Sequence, residues 1–252
     1  MTADLPPLLT ASWNDVPGVT AFTTTRTPEL PASPDYGDFN LATHVGDAPD
    51  RVAARRARLR VAARLPQQPA WLEQVHGKEI VHADTVGAPV PADGSWTATP
   101  GVVCAVLTAD CLPVVIADRH GQRVAAVHVG WRGLAAGVLE AALQPFCAAG
   151  IAPADCRAWF GPAISAAAYE VDARVRDAFA FMGAAGRHCF TPTRPGHWAC
   201  DLYQLARERL AALGLGAITG GEWCTFGEPR FYSYRRTRRC GRHATVIFIE
   251  GS

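Results

Sequence analysis

Short apolar runs crowd the middle of the chain. Residues 102–107, 113–117 and 124–129 are each five or six residues long and rich in Val, and the turn residues His120-Gly121 separate the last two. Runs of that length and β-branched content predict buried strands. Between the first two lies Cys111, and the third delivers His128 into the polar cluster Trp131-Arg132-Gly133. A thiol and an imidazole are therefore expected at neighbouring strand ends. Similar patterning predicts strands over 19–25, 71–77, 79–83, 157–165 and 244–250; the second of these carries His76, with Gly77 free to turn the backbone away.

Helical periodicity predicts four helices. The first covers 50–65, with Asp50 as its N-cap, Val52 and Leu59 on the inner side, and Arg51, Arg55, Arg56, Arg58, Arg60 and Arg64 on a solvated face. The second covers 133–150, which puts the Val-Gly-Trp-Arg-Gly turn at a helix N-terminus, where free N–H groups favour an anion and Arg132 adds a fixed charge. A third runs from Val171-Asp172 to residue 182, and a fourth from Asp201 as cap to Leu213, closed by Gly214. Loops are expected at the Pro-rich stretch 27–34, at the polar stretch 93–100 and at 191–198, and the basic aromatic segment 231–242 reads as a charged hairpin.

The 252 residues fit one large domain spanning 1–252, and no apolar run reaches the roughly 20 residues that cross a bilayer. The N-terminal stretch has neither a basic region nor an apolar one of signal-peptide type, so a cytoplasmic location is expected. A net charge of +1 argues against nucleic acid or an anionic membrane as partner and leaves small molecules, handled by a monomer or small homo-oligomer. The eight cysteines are scattered without a Cys-x-x-Cys pair, which reads as reduced thiols. Signatures of nucleotide-binding P-loops, dinucleotide folds and serine hydrolases are missing.

Two imidazoles and a thiolate, His76, His128 and Cys111, form a donor set suited to zinc, and three protein ligands leave the fourth tetrahedral position for water or substrate. Cys104, Cys224 and His44 are the available fourth ligands of a closed, structural site. Copper fits less well, because a multicopper oxidase needs many histidines, commonly in His-x-His pairs, and the eight histidines here form none. A metal-free alternative is Cys111 activated by His128 as the nucleophile of a hydrolase or amidase. Asn40 and His44 suit either turn hydrogen bonding or substrate positioning. Ser233, Arg235 and Arg236 suit either a phosphate or ribose site or the charged hairpin alone, and Arg132 either a phosphate or a surface ion pair.

Six stretches together carry a resemblance: Phe-Asn-Leu-Ala-Thr-His from Phe39, Gln-Val-His-Gly from Gln74, Leu-Thr-Ala-Asp-Cys-Leu-Pro from Leu107, His-Val-Gly-Trp-Arg-Gly from His128, Gly-Pro-Ala-Ile-Ser from Gly161, and Phe-Tyr-Ser-Tyr-Arg-Arg from Phe231. In this order the chain resembles the YfiH family, once described as multicopper polyphenol oxidases or laccases. The resemblance implies a single-domain α/β (α+β) layered sandwich with mixed sheets, similar to the cytotoxic necrotizing factor catalytic domain. It also implies zinc on His76, Cys111 and His128. Family activity is purine nucleoside phosphorolysis (adenosine, inosine, guanosine, methylthioadenosine) with accompanying adenosine deamination. Some members are linked instead to hydrolysis of a UDP-muramyl-serine precursor of peptidoglycan. A zinc-stabilised binding protein without catalysis is the plain alternative. The chain departs from the family at Ala166, Ala167 and Ala168, at Ala206 and at Cys240, which bears on the pocket wall rather than on the metal ligands.

Overall fold

The central apolar runs become strands covered on both sides, which is why they read as continuous apolar stretches rather than alternating ones. In the computed structural model, which describes residues 5–13, 15–27 and 36–251, the strands are β1 (Leu9–Thr10), β2 (Val19–Thr23), β3 (Ile80–His82), β4 (Gly94–Thr97), β5 (Val103–Thr108), β6 (Leu112–Asp118), β7 (Val124–Val129), β8 (Cys156–Phe160), β9 (Glu170–Asp172), β10 (Phe190–Pro192), β11 (His197–Cys200), β12 (Ala217–Gly220) and β13 (His243–Ile249). The helices are α1 (Pro49–Ala62), α2 (Trp131–Ala136), α3 (Val138–Ala148), α4 (Ala173–Asp177), α5 (Gly183–Arg187) and α6 (Leu202–Ala212). The Pro-rich loop expected over 27–34 lies, beyond residue 27, outside the described residues.

An antiparallel sheet in the order β1-β2-β13-β5 stacks on a mixed sheet in the order β12-β8-β6-β7-β4-β3, whose two outer pairs run parallel. A small third sheet, β10-β11-β9, stands apart from these two. Strand alternation assigns the faces. Val114, Ile116, Val127 and Val129 pack with Leu134, Val138 and Leu205 of the helices. Val115, Ala117, Ala126 and Trp159 point the other way, onto Cys104, Val106 and Ile247 of the first sheet. The outer face of that sheet, through Val103, Ala105, Val246 and Phe248, packs with Leu59 of α1 and with Phe39. The layers are helix, sheet, sheet and helices, the expected α/β sandwich with mixed sheets. No helix among the described residues is long and apolar enough to cross a membrane.

Several elements differ from the sequence reading. The expected strand 71–77 makes only single bridges, Ala70 to Cys104 and Glu73 to Pro91, because its backbone turns at His76 (φ +60°). The polar stretch 93–100 is not a loop but opens with β4, paired to β7; Gly94 permits this, since a Cβ there would lie 2.8 Å from the Ala126 carbonyl oxygen. The helix expected over 133–150 starts at Trp131 and breaks at Gly137, whose φ of +94° closes α2 and opens α3. Asp172 ends a strand and caps the short α4 through the Val175 N–H, so no helix runs on to residue 182. The loop expected at 191–198 is a hairpin of β10 and β11. Segment 231–242 holds turns but no strand. At α1 the cap position belongs to Ala48 with Pro49 following, and Asp50 sits in the first turn. Arg55 leaves the solvated face of α1: it is buried against Asp47. Asp201 does cap α6, accepting from the Gln204 N–H at 2.9 Å.

Candidate metal centre

Three elements bring the donors together. His128 is the next-to-last residue of β7, Cys111 immediately precedes β6, and the register pairs Leu112 with Val129, so their side chains meet at one end of the mixed sheet. His76 arrives on the turn after residue 75, clamped to β5 by Gln74, whose side chain donates to the Leu107 carbonyl at 2.8 Å and accepts from its N–H at 2.7 Å. The ligand atoms of His76, Cys111 and His128 all lie within 4.8 Å of one another. The two imidazole rings meet edge to face. His128 is buried, Cys111 half-buried and His76 exposed, so the cluster opens to solvent on one side. No fourth His, Cys, Asp or Glu among the described residues joins it; Cys104 lies in the core between the sheets and Cys224 pairs with Ser165.

Asp93, at the start of β4, holds two of the three ligands. Its carboxylate meets the His128 Nδ1 at 2.7 Å and accepts from the backbone N–H groups of His76 at 2.9 Å and Gly77 at 2.6 Å. A carboxylate on Nδ1 leaves Nε2 to face the cluster. The same bonds hold His76 at its positive φ, a conformation that costs a non-glycine residue about 1–2 kcal/mol. Asp110 plays the matching part beside Cys111. Also at positive φ (+93°), it accepts from Thr225 Oγ1 and from the Arg235 N–H, both at 2.6 Å, and so draws the loops at 225 and 235 to the centre.

The electrostatics favour a cation. Burial pushes the Cys111 thiol up, but His128 and His76 outweigh it and bring the thiol down to about 6. Burial alone would lower His128; Cys111 and Asp93 reverse this and raise it to about 9. A thiolate and a carboxylate-backed imidazole thus share a place for one positive charge, and metal ligation requires the deprotonated thiol. Space is reserved as well. A Cβ on Gly130 would stand 3.1 Å from His76 Cδ2 and 3.3 Å from Cys111 Sγ, so the glycine keeps the face of the cluster clear. Donor type, number, opening and supporting carboxylate all fit a single zinc ion.

Residues 20–250 match the family profile described as multi-copper polyphenol oxidoreductase laccase. A purine nucleoside phosphorylase of Pseudomonas aeruginosa is 46% identical over 244 residues, covering 96% of this chain and 98% of its own. The Escherichia coli purine nucleoside phosphorylase YfiH is 45% identical over 246 residues, with coverages of 96% and 98%. The chain belongs to the YfiH family. Solved structures agree: a Neisseria meningitidis protein superposes with a TM-score of 0.89 at 41% identity, covering 97% of this chain and 99% of that one. YlmD of Geobacillus stearothermophilus reaches 0.91 at 30% identity, with coverages of 99% and 97%.

Against this family background, the other expected site residues divide. Asn40 is wholly buried, and its amide is fully engaged: Oδ1 accepts from the N–H groups of Ala42 and Arg242, while Nδ2 donates to the Ala42 carbonyl and to Asp47. Its bonding capacity is spent on shaping its own loop. Ser233 is buried and accepts from the Arg236 N–H at 3.1 Å, a turn-closing bond. Arg236 spends its guanidinium on the carbonyls of Thr225, Phe226, Glu228 and Phe231 and is likewise structural. His44 stands at the exposed rim, where partial desolvation and the charges of Arg242 and Arg56 lower its pKa and His76 adds to them. Arg132 is exposed with its guanidinium 4.6 Å above the Trp131 ring, and Arg235 is exposed with its guanidinium 5.4 Å from the Tyr169 ring. The six-residue α2 is too short to give the expected anion site at its N-terminus.

Sequence reasoning gave no role to Asp93, Asp110 or Gly130. Asp93 is 35 residues from His128, and only the pairing of β4 with β7 brings them together. Of the departures from the family pattern, Ala206 is buried in the helical core, Cys240 is buried beside Tyr232, and Ala166–Ala168 form the turn that leads into Tyr169.

Proposed function

We propose that the chain is a zinc-dependent purine nucleoside phosphorylase, acting in the cytoplasm on adenosine, inosine, guanosine and methylthioadenosine, with accompanying adenosine deamination. The observation that carries it is an open three-ligand centre, with Arg235 joined through its N–H to Asp110 beside Cys111 and exposed Arg132 two residues beyond Gly130, which packs on Cys111. The names of the relatives point the same way. His76, Cys111 and His128 would hold the zinc, which supplies Lewis acidity toward an oxygen of substrate or water. Asp93 orients His128 and the His76 turn. In phosphorolysis an oxygen of HPO4²⁻ bonds to ribose C1′ and the C1′–N9 bond breaks, its electron pair staying on the base. The base leaves with the proton the phosphate brought. Arg132 and Arg235 neutralise the phosphate during attack, a task suited to planar guanidinium. Exposed His44 would meet the nucleoside.

Adenosine separates the activities in one assay. Chromatography of products should show adenine only when phosphate is present, and inosine without it. Inosine alone under both conditions would remove phosphorolysis from the account. The laccase description carried by the family profile requires several coppers, whereas one three-donor cluster is found among the described residues.

A further inference from the structure

The reaction above gives Tyr169 no part. It follows the turn Ala166–Ala168 and is fixed at its carbonyl by the Cys200 N–H at 2.9 Å. Tyr169 is half-buried, the Arg235 guanidinium stands 5.4 Å from its ring, and the Arg235 N–H bonds Asp110, the neighbour of Cys111. The hydroxyl has no hydrogen-bond partner among the described residues. The hydroxyl is not among the buried unpartnered atoms, so it is open to a bonding partner arriving from solution.

The surroundings say what enters. Arg132 and Arg174 both lie over the Trp131 ring, at 4.6 and 5.6 Å, and neither is paired with a carboxylate among the described residues. Among the described residues Arg235 donates its side chain only to the Glu170 carbonyl, at 3.2 Å. The nearby acids are committed elsewhere: Glu170 to Arg194 and Thr193, Asp172 to the Val175 N–H, Asp110 to Thr225 and the Arg235 backbone. Arg132, Arg174 and Arg235 therefore bring positive charge that no carboxylate among the described residues pairs with.

We propose that Tyr169, Arg132 and Arg235 together seat the phosphate anion beside Cys111, the phenol O–H donating to one phosphate oxygen while the two guanidiniums supply the charge. The inference rests on the phosphorylase reading and adds a residue to it. Burial, with Cys200 and Cys111 adding to it, pushes the phenol up, so the group stays a donor at neutral pH. A phenol has one donor in a fixed direction, and it would orient the phosphate, as long charged side chains alone cannot.

Calorimetric titration of the intact, zinc-loaded protein with inorganic phosphate tests this, comparing wild type with Tyr169→Phe and Arg132→Gln. Tyr169→Phe keeps the ring and removes only the hydroxyl, and an unchanged thermal midpoint confirms its folding. Both variants should bind phosphate about tenfold more weakly. In turnover, the KM for phosphate should rise by the same factor, while the KM for inosine moves by less than about twofold. Wild-type affinity in Tyr169→Phe, or no phosphate binding by the wild type, would overturn the proposal. Binding that weakens as expected, in a protein that does not cleave nucleosides, would uphold the phosphate seat and remove the phosphorylase reading instead.

Discussion

Replacing Asp93 by Asn keeps the shape of the group that supports the centre and removes its charge. The carboxylate receives His128 Nδ1 and the His76 N–H on one oxygen and the Gly77 and Val75 N–H groups on the other, at 2.7, 2.9, 2.6 and 3.3 Å. An amide has one oxygen and one NH2, so whichever way it turns, one pair of donors faces another donor. Hydrogen bonds to a charged acceptor contribute about 1.5–3 kcal/mol each, so losing the better bond of one pair costs about 2–4 kcal/mol of stability once the unmet donors are included. For a chain of this size that lowers the thermal midpoint by about 2–4 °C per kcal/mol. Zinc affinity should fall about 10- to 100-fold, because His128 loses the partner that fixes its ring and His76 loses the anchor of its turn. Zinc titration of chelator-stripped protein against a competing dye reads this directly. Wild-type zinc affinity in Asp93→Asn would show that the carboxylate does not hold the ligands in place, and the account of the site would fail with it.

Three other substitutions probe separate parts of the account. Asn40→Ala removes four buried hydrogen bonds and should destabilise the fold by about 2–4 kcal/mol in urea unfolding, whereas a residue that only met substrate would leave the midpoint where it was. Gly133→Ala places a Cβ 2.6 Å from the Gly77 carbonyl oxygen, pressing α2 against the His76 turn; a loss of about 1–3 kcal/mol and weaker zinc binding are expected, and an unperturbed variant would mean that the turn yields freely. Burial pushes Asp47 up, but Asn40, Arg51 and Arg55 outweigh it and hold the carboxyl below the usual carboxylate range. Its contribution is therefore complete above the unfolded value and fades as pH falls through the folded one. Asp47→Asn should cost stability at about pH 6 and progressively less toward about pH 2, and an equal deficit at both would contradict the linkage.

The central strands, and the meeting of Cys111 with His128, were legible because burial on both faces writes an unbroken apolar run and these two residues sit at the ends of such runs. β7 coincides with its expected span, 124–129. What was not legible depends on partners distant in the chain. β4 carries Ser95 and Thr97, polar residues that local patterning assigns to a loop, yet pairing with β7 buries both. The break at Gly137 is a matter of backbone φ, which an Ala- and Leu-rich stretch conceals. The basic aromatic segment shows the same limit in the site: Arg235 and Arg236 are neighbours of equal charge, but one is exposed and the other closes a turn on four carbonyls. Sequence alone offers no means of telling them apart.

The central claim is that one zinc on His76, Cys111 and His128 supports phosphate-dependent cleavage of purine nucleosides. Its most direct test is release of free base from inosine, with and without phosphate, by wild type and Cys111→Ala, with zinc content determined on the same preparations. About one zinc per chain and base release only with phosphate are expected in the wild type. Both should be lost in Cys111→Ala. Base release that survives Cys111→Ala would place the reaction elsewhere in the molecule and contradict the account.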